Sequence, residues 1–199
     1  MSFVDPYFDP EIGDLRNLLG AQSTAQLREL EPQAVFANEL ELSIVDIPRT
    51  NDLKELRALH AQLFKGVYDW AGHIRTVDIR KHRENAGFFL PVAFVERAAG
   101  FVFHELANEN DLKGLSRDEF VRRLAHFYDQ LNYIHPFREG NGRTQRVFWR
   151  RVAGGAGFTI DWSKVIGEEN DLACRVAMEQ HNLTPLVEMF HRITKKTGD

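Results

Sequence analysis

The residues of this sequence with the clearest chemical meaning lie in one run of twelve, His135–Arg146, which reads His-Pro-Phe-Arg-Glu-Gly-Asn-Gly-Arg-Thr-Gln-Arg. Its middle holds three residues that tolerate a positive φ, namely Gly140, Asn141 and Gly142. If a helix begins there, the backbone N–H groups form a nest for an anion at the positive end of the helix dipole. Three guanidinium groups follow at helical spacing, those of Arg143, Arg146 and Arg150. Guanidinium groups bind phosphate through paired donors, so the run predicts a polyphosphate site.

Two further residues of the run could act on that phosphate. The Glu139 carboxylate would repel a phosphate beside it unless it holds Mg²⁺, a cation that binds one or two carboxylates together with phosphate oxygens and water. His135 precedes Pro136, which disfavours helical geometry, so its imidazole is expected to project from the end of a helix. With an ordinary pKa of about 6.5, the neutral ring can accept a proton from a hydroxyl group. We therefore expect phosphate transfer with His135 as the base and Mg²⁺ as the cofactor.

Each of these features has a simpler interpretation when it stands alone. A His before a Pro commonly ends a helix, Gly-Asn-Gly commonly forms a turn, and arginines at helical spacing commonly form a solvated face. Their occurrence together within twelve residues favours a site, because each supplies a different part of one phosphate-transfer centre.

The run also resembles the active-site motif of the Fic proteins, His-Pro-Phe-x-Glu-Gly-Asn-Gly-Arg-x-x-Arg, and fills every defining position. Fic proteins transfer AMP from ATP to a hydroxyl side chain of another protein. The resemblance implies that His135 deprotonates the target hydroxyl, that Glu139 holds Mg²⁺ and that Phe137 anchors the loop in the core. It implies a phosphate-binding set of Gly140, Asn141, Gly142, Arg143 and Arg146. The hydroxyl would attack the α-phosphorus and pyrophosphate would leave.

The elements around this run are expected to be helices. Apolar residues recur at helical spacing in the segments 24–40, 51–66, 92–107, 116–134, 142–155, 163–181 and 184 onward. Pro32 is expected to kink or restart the first of these helices, and Asn51 to cap the second. Ser116 and Glu119 have the spacing of a capping box at the start of the clearest helix. The resemblance also extends to the segment 68–72 and to the order of the helices. The predicted fold is mostly α: a Fic-type helical domain over residues 21–199, including C-terminal helices, with an N-terminal arm over residues 1–20 and one small β-hairpin flap.

The flap is predicted from two short apolar runs, 74–79 and 87–90, separated by a polar stretch. By the family resemblance, its exposed edge pairs with an extended segment of the target protein. Lys81, Phe88 and Phe89 are candidates for clamping the target or the nucleotide. In the alternative interpretation, the two phenylalanines only pack the hairpin against helices.

Composition limits the cellular setting. The chain has 199 residues, 25 Lys and Arg against 29 Asp and Glu, and a net charge of −4, which argues against direct nucleic-acid binding. It contains no apolar stretch long enough for a membrane span, and its first residues do not resemble a secretory signal. One cysteine, Cys174, cannot form an internal disulfide. We expect a bacterial protein that is cytoplasmic and does not bind membranes. Delivery into another cell stays an open alternative.

Control of the activity is expected to come from a second chain. Many Fic proteins share an inhibitory helix with the pattern Ser/Thr-x-x-x-Glu-Gly/Asn. The glutamate of this helix pairs with the second arginine of the active-site motif. The three Glu-Asn pairs here begin at Glu84, Glu109 and Glu169, and none has Ser or Thr four residues earlier. The resemblance therefore implies a bacterial toxin whose small antitoxin supplies a glutamate to Arg146. In some toxins of this type the targets are ATPase subunits of type II DNA topoisomerases.

Three alternatives stay open. A Fic fold could transfer UMP or phosphate, or remove AMP, although Gly142 stands where a kinase relative has lysine. The chain could be a catalytically silent binding module. It could also be a metal-dependent hydrolase, but its other histidines show no close ligand spacing: His60, His73, His82, His104, His126, His181 and His191.

Overall fold

Helices form most of the computed structural model, which describes residues 5–80 and 89–198. Within these residues there are seven α-helices: α1 Thr24–Glu41, α2 Leu53–Leu63, α3 Val95–Asn108, α4 Arg117–Ile134, α5 Asn141–Gly155, α6 Gly167–Gln180 and α7 Thr184–Ile193. The mostly helical fold expected from the sequence is thus confirmed. No helix in this described part of the chain is long and apolar enough to span a bilayer.

Helix α4 is the centre of the packing. It begins at the predicted capping box, in which Ser116 and Glu119 bond each other's backbone N–H groups. Its apolar face is buried against α3, α5, α6 and α7. The buried stripe comprises Phe120, Leu124, Phe127, Leu131 and Ile134. Because α4 is surrounded in this way, the position of its C-terminal end, where His135 follows, is fixed by the core.

Helix α2 packs against α5, and α1 packs against α2. Helix α2 is capped by Asp52, whose side chain accepts from Glu55 N–H, and not by Asn51 as the sequence suggested. Asn51 instead adopts a positive φ of 51° before the cap. Helix α1 continues through Pro32, where a kink or a new start was expected. It brings Glu31, in its middle, to the start of α5.

Two short antiparallel sheets among the described residues were not predicted. Strands β1 Phe8–Asp9 and β2 Asp14–Leu15 pair within the N-terminal arm, and strands β3 Phe158–Ile160 and β4 Thr194–Lys196 join the segment after α5 to the C-terminal tail. Of the predicted flap, residues 81–88 lie outside the described residues, and the described run 74–79 forms no strand, although the sequence predicted one arm of a hairpin there. In its described part, Phe89 N–H donates to the Ile79 carbonyl at 3.1 Å.

The N-terminal arm is held against the motif. Asp5 Oδ2 accepts from Arg138 Nε at 3.0 Å and from Arg138 Nη2 at 2.8 Å. Tyr7 is buried and its ring meets that of Trp70 edge-on, with the centroids 5.3 Å apart. The arm therefore packs on the same loop that carries the predicted phosphate site.

Candidate active site

His135 caps the C-terminus of α4. It adopts a left-handed φ of 47°, as expected for a residue that cannot continue a helix before proline, and its N–H donates to the Leu131 carbonyl. Its Nδ1 lies 3.0 Å from the Asn132 carbonyl oxygen. A carbonyl only accepts, so Nδ1 carries the proton of the neutral ring and Nε2 carries the lone pair. The ring is thus held in the tautomer that a base acting through Nε2 requires.

Phe89 stacks on the His135 ring. The centroids are 3.7 Å apart, the planes differ by 11°, and the Phe89 side chain is only 4% exposed. This contact limits rotation of the imidazole. The clamping role suggested for Phe89 stays a prediction, and Lys81 and Phe88 lie outside the described residues.

Arg75 is hydrogen-bonded to the backbone of the turn formed by His135 and Pro136. Its side chain is 1% exposed, and its N–H donates to the Pro136 carbonyl at 2.9 Å. Its guanidinium donates to the backbone carbonyls of Val77, Leu90, Ile134 and His135. The bond from Nε to the His135 carbonyl measures 2.8 Å. Burial lowers the pKa of Arg75, yet the charge is solvated by carbonyls at the negative end of α4. The sequence did not indicate this role of Arg75, although Arg75 follows the segment 68–72, to which the resemblance to Fic proteins extends.

Replacing Arg75 with Met is expected to lower the free energy of unfolding by about 3–5 kcal/mol, because several buried carbonyls lose a charged donor. Urea denaturation of the purified protein measures this loss. Arg122→Met is the control, since Arg122 is exposed on α4, and it is expected to change the value by less than about 0.5 kcal/mol. Equal stability of the two variants would contradict the role given to Arg75.

The loop after His135 is closed by Asn141. Asn141 Oδ1 accepts from Phe137 N–H at 2.8 Å, and Asn141 Nδ2 donates to the Phe137 carbonyl at 2.7 Å. Phe137 is fully buried. The Asn141 side chain is therefore engaged by the loop, which leaves its backbone N–H as the group that can face a phosphate.

Helix α5 begins at Asn141 with no side chain capping it. The first N–H groups of an α-helix have no partner within the helix, so this N-terminus presents free donors and a positive dipole end. Gly140, directly before it, adopts a φ of 79°. The residues of the predicted nest, Gly140, Asn141 and Gly142, thus lie at the start of a helix, where an anion is favoured, and the Gly140 N–H already donates to the Glu139 carboxylate.

Glu139 is suited to serve as a ligand of Mg²⁺. Its side chain is 45% exposed, and Oε1 accepts from Gly140 N–H at 2.9 Å and from Arg143 Nη2 at 3.3 Å. Oε2 has no hydrogen-bond partner among the residues that the structure describes. Within 5–80 and 89–198, no group of three or more His, Cys, Asp and Glu could hold a metal. The half-exposed carboxylate of Glu139 fits a site in which phosphate oxygens and water complete the ligands, a common arrangement for Mg²⁺.

Arg143 is already paired within the chain. Its Nη2 donates to Glu31 Oε1 at 2.7 Å, and its guanidinium lies 4.8 Å from the centre of the Phe64 ring. Tyr68 also donates to Glu31, at 3.2 Å. Burial by itself would lower the pKa of Arg143, but the hydrogen bond and charge of Glu31, with the charge of Glu139, raise it. Glu31 is 112 residues away in sequence, and no local pattern indicated it.

The three arginines of α5 that recur at helical spacing in the sequence, Arg143, Arg146 and Arg150, do not share one environment. Arg150 pairs with Glu39 at 3.2 Å on the exposed surface, whereas Arg146 makes no hydrogen bond or ion pair within the described part of the chain. Both arginines and Arg143 line a cavity of about 270 Å³ between α1, α5 and Trp162. Its other wall is largely apolar and includes Pro32, Val35 and Phe36. The structure thus leaves Arg146 facing an open cavity.

Comparison with known proteins identifies the family. The model of the Fic/DOC family matches residues 50–153. Protein adenylyltransferase VbhT of Bartonella schoenbuchensis is 40% identical over 165 residues, which cover 83% of this chain and 34% of VbhT. "Probable protein adenylyltransferase Fic" of Escherichia coli K12 is 32% identical over 196 residues, covering 98% of this chain and 94% of the relative. The chain therefore spans about a third of the first relative and nearly all of the second.

Solved structures agree on the fold. The BepC effector of Bartonella tribocorum, crystallised with AMPPNP, superposes with a TM-score of 0.87 at 27% identity, covering 96% of this chain and 97% of that one. A Fic domain of Bartonella quintana with bound ADP gives 0.87 at 28% identity, covering 96% and 95%. The family model, the relatives and the order of helices lead to one conclusion: this chain belongs to the Fic/DOC family.

Proposed function

We propose that this chain is a protein adenylyltransferase, which moves AMP from ATP to a hydroxyl side chain of a target protein and releases pyrophosphate. One observation carries the proposal: a histidine with its lone pair on Nε2 lies in the same short loop as an uncapped helix N-terminus and a half-exposed carboxylate. The names of the relatives support it, since VbhT and the Escherichia coli protein are both called adenylyltransferases.

In the proposed reaction the chain's own residues bind the phosphates and move one proton. The N–H groups at the start of α5 bind the phosphates, and Arg143 and Arg146 hold the β- and γ-phosphates. The target hydroxyl oxygen forms a bond to the α-phosphorus while His135 Nε2 takes its proton. The bond from the α-phosphorus to the bridging oxygen breaks, and the electron pair leaves with pyrophosphate. Fixed donors stabilise the charge that develops, without reorganisation during the step.

Mg²⁺ is the proposed cofactor, and Glu139 is the residue that would hold it. When bound, the metal would neutralise charge on the phosphate oxygens as a Lewis acid. The carboxylate is suited to this, because Oε1 is directed by Gly140 N–H while Oε2 has no described partner. The other ligands would be phosphate oxygens and water.

The test uses ATP labelled on the α-phosphorus or on the γ-phosphorus, incubated with the purified protein, Mg²⁺ and a bacterial lysate. AMP transfer places the α label on a protein and leaves the γ label in pyrophosphate. A γ label on protein would instead show kinase activity, and no label from either position would contradict the proposal. Identifying the labelled band tests whether the target is a type II topoisomerase subunit.

A reduced Cys174 and the use of ATP favour the bacterial cytoplasm as the place of action.

We also propose that the protein is the toxin of a toxin–antitoxin pair, restrained by a small chain whose glutamate reaches Arg146. Support comes from the apolar and basic cavity around Arg146 and from exposed apolar side chains near the C-terminal end of α1, of which Phe36 lines the cavity. They are Phe36 and Leu40 on α1 and Ile44 just after it, which are 64%, 62% and 84% exposed. To test this, the protein is expressed from its native operon and purified, and its AMP transfer is measured with and without any small chain that co-purifies with it. An inactive protein with no bound partner would contradict it.

Glu31→Gln is expected to tighten ATP binding by about threefold to tenfold, because a negative charge that competes with phosphate for Arg143 is removed. Isothermal titration with ATP and Mg²⁺ measures the change. Glu41→Gln is the matched control on the same helix, since Glu41 pairs with the exposed Lys65 and does not line the cavity around Arg146. Weaker ATP binding by Glu31→Gln would show that Glu31 instead orients Arg143 for phosphate.

A further inference from the structure

His60 is a buried histidine that the proposed transfer chemistry does not use, yet it contacts the loop that carries Glu139. It belongs to the last turn of α2 and is fully buried. Its ring stacks against Phe64 at 4.6 Å and against Phe137 at 3.9 Å. Both of its nitrogens face backbone groups, so the ring is held against rotation.

The hydrogen bonds of His60 define its tautomer. Gly72 N–H donates to Nδ1 at 2.8 Å, which places a lone pair on Nδ1. A neutral imidazole has a single N–H, and that proton must therefore be on Nε2. Nε2 lies 3.0 Å from the Glu139 carbonyl oxygen, to which it donates. Burial lowers the pKa of His60 to about 3, in agreement with a ring that stays neutral.

Gly72 is fixed in turn by its contact with α2. Its φ is 80°, and a Cβ at this position would lie 2.8 Å from the Ala61 Cβ. Its carbonyl accepts from Arg57 Nε at 2.9 Å. Only glycine allows the backbone to approach the helix this closely. The N–H that selects the His60 tautomer therefore comes from a peptide that cannot easily move.

The bond from His60 reaches the peptide unit that joins Glu139 to Gly140. The carbonyl of that unit accepts from His60, and its N–H, which belongs to Gly140, donates to Glu139 Oε1 at 2.9 Å. One peptide plane thus connects the imidazole to the carboxylate and to the left-handed turn at Gly140.

We propose that His60 is a positioning residue of the phosphate-transfer site: by holding the Glu139 carbonyl it sets the direction of the Glu139 carboxylate and the turn before α5. The meaning of this role rests on the proposed function, which assigns Glu139 to Mg²⁺. His60 touches neither ATP nor the metal in this scheme and acts through the peptide. Partners that orient a metal ligand in this way commonly affect metal affinity.

The test compares two variants, each of which keeps one of the two hydrogen-bonding groups of the His60 ring. His60→Asn keeps an acceptor near the position of Nδ1 but removes the donor to Glu139, whereas His60→Gln keeps a donor near the position of Nε2 but removes the acceptor facing Gly72. The Mg²⁺ concentration for half-maximal ATP binding is expected to rise about tenfold or more in His60→Asn and to stay within about threefold in His60→Gln. Both variants lose the stacked ring, so both are expected to melt at similarly lowered temperatures.

Equal Mg²⁺ requirements in the two variants would overturn the proposal and leave His60 a purely structural residue. Should either variant fail to fold, nitrogen-15 NMR of the wild-type histidines gives a second measurement. The proposal requires the His60 proton on Nε2, and a proton on Nδ1 would overturn it. Both measurements are independent of target labelling. A wild-type protein that transfers no AMP would therefore contradict the proposed function without deciding the role of His60.

Discussion

Replacing His135 with Asn is expected to reduce AMP transfer by about 10²–10⁴-fold and to leave ATP binding within about twofold of the wild type. The imidazole Nε2 is the atom assigned to the proton of the target hydroxyl, and an amide cannot accept that proton at neutral pH. The phosphates would be bound by α5 and its arginines, which the change does not touch. Transfer of α-labelled phosphate and calorimetric ATP titration measure the two quantities.

Asn is chosen because His135 has a left-handed φ of 47°, a conformation that Asn tolerates better than Ala. His135→Ala serves as the second variant, and it should lose the same activity with a somewhat lower melting temperature. Wild-type labelling by either folded variant would remove His135 from the role of base. A parallel loss of ATP binding would indicate that the loop had collapsed.

Gly140→Ala is expected to destabilise the protein by about 2–5 kcal/mol, or roughly 5–15 °C in melting temperature. Two causes add. The residue has a φ of 79°, which a side chain strains, and the new Cβ would lie 2.1 Å from Cζ of Phe64. That ring is fully buried and stacked on His60, so it has no space to retreat. Differential scanning calorimetry measures the loss.

Gly142→Ala is the control for stability. No atom lies within 4 Å of the Cβ that would be added at Gly142, whose φ lies outside the left-handed region. Within helix α5, alanine is favoured over glycine by about 0.5–1 kcal/mol, so the melting temperature is expected to be unchanged or slightly higher. A Gly140→Ala protein as stable as this control would contradict the close approach of Phe64.

Local sequence predicted the features that depend on neighbouring residues. The capping box at Ser116, the end of α4 before Pro136 and the start of α5 beside Gly140 all follow from the chemistry of a few adjacent positions. The placement of Glu139 at an uncapped helix start follows in the same way. For these features the tertiary structure adds packing but does not change the local preference.

The contacts that hold the site could not be predicted, because they join distant segments. Glu31 meets Arg143 across 112 residues, Arg75 meets His135 across 60, and His60 meets Glu139 across 79. Each pair is a long-range contact that no local periodicity reveals. Strand β4, Thr194–Lys196, likewise has no alternation typical of a strand and forms by pairing with Phe158–Ile160.

Three side chains that hold the turn after α4 limit how the proposed AMP transfer can respond to pH. Arg75 keeps its charge, Asn141 has none to lose, and the pKa of His60 is lowered to about 3. None of these three groups changes its protonation between pH 5 and 8. An acid limb in the pH–rate profile of AMP transfer over that range would therefore report other groups, and not a change of protonation in these three side chains.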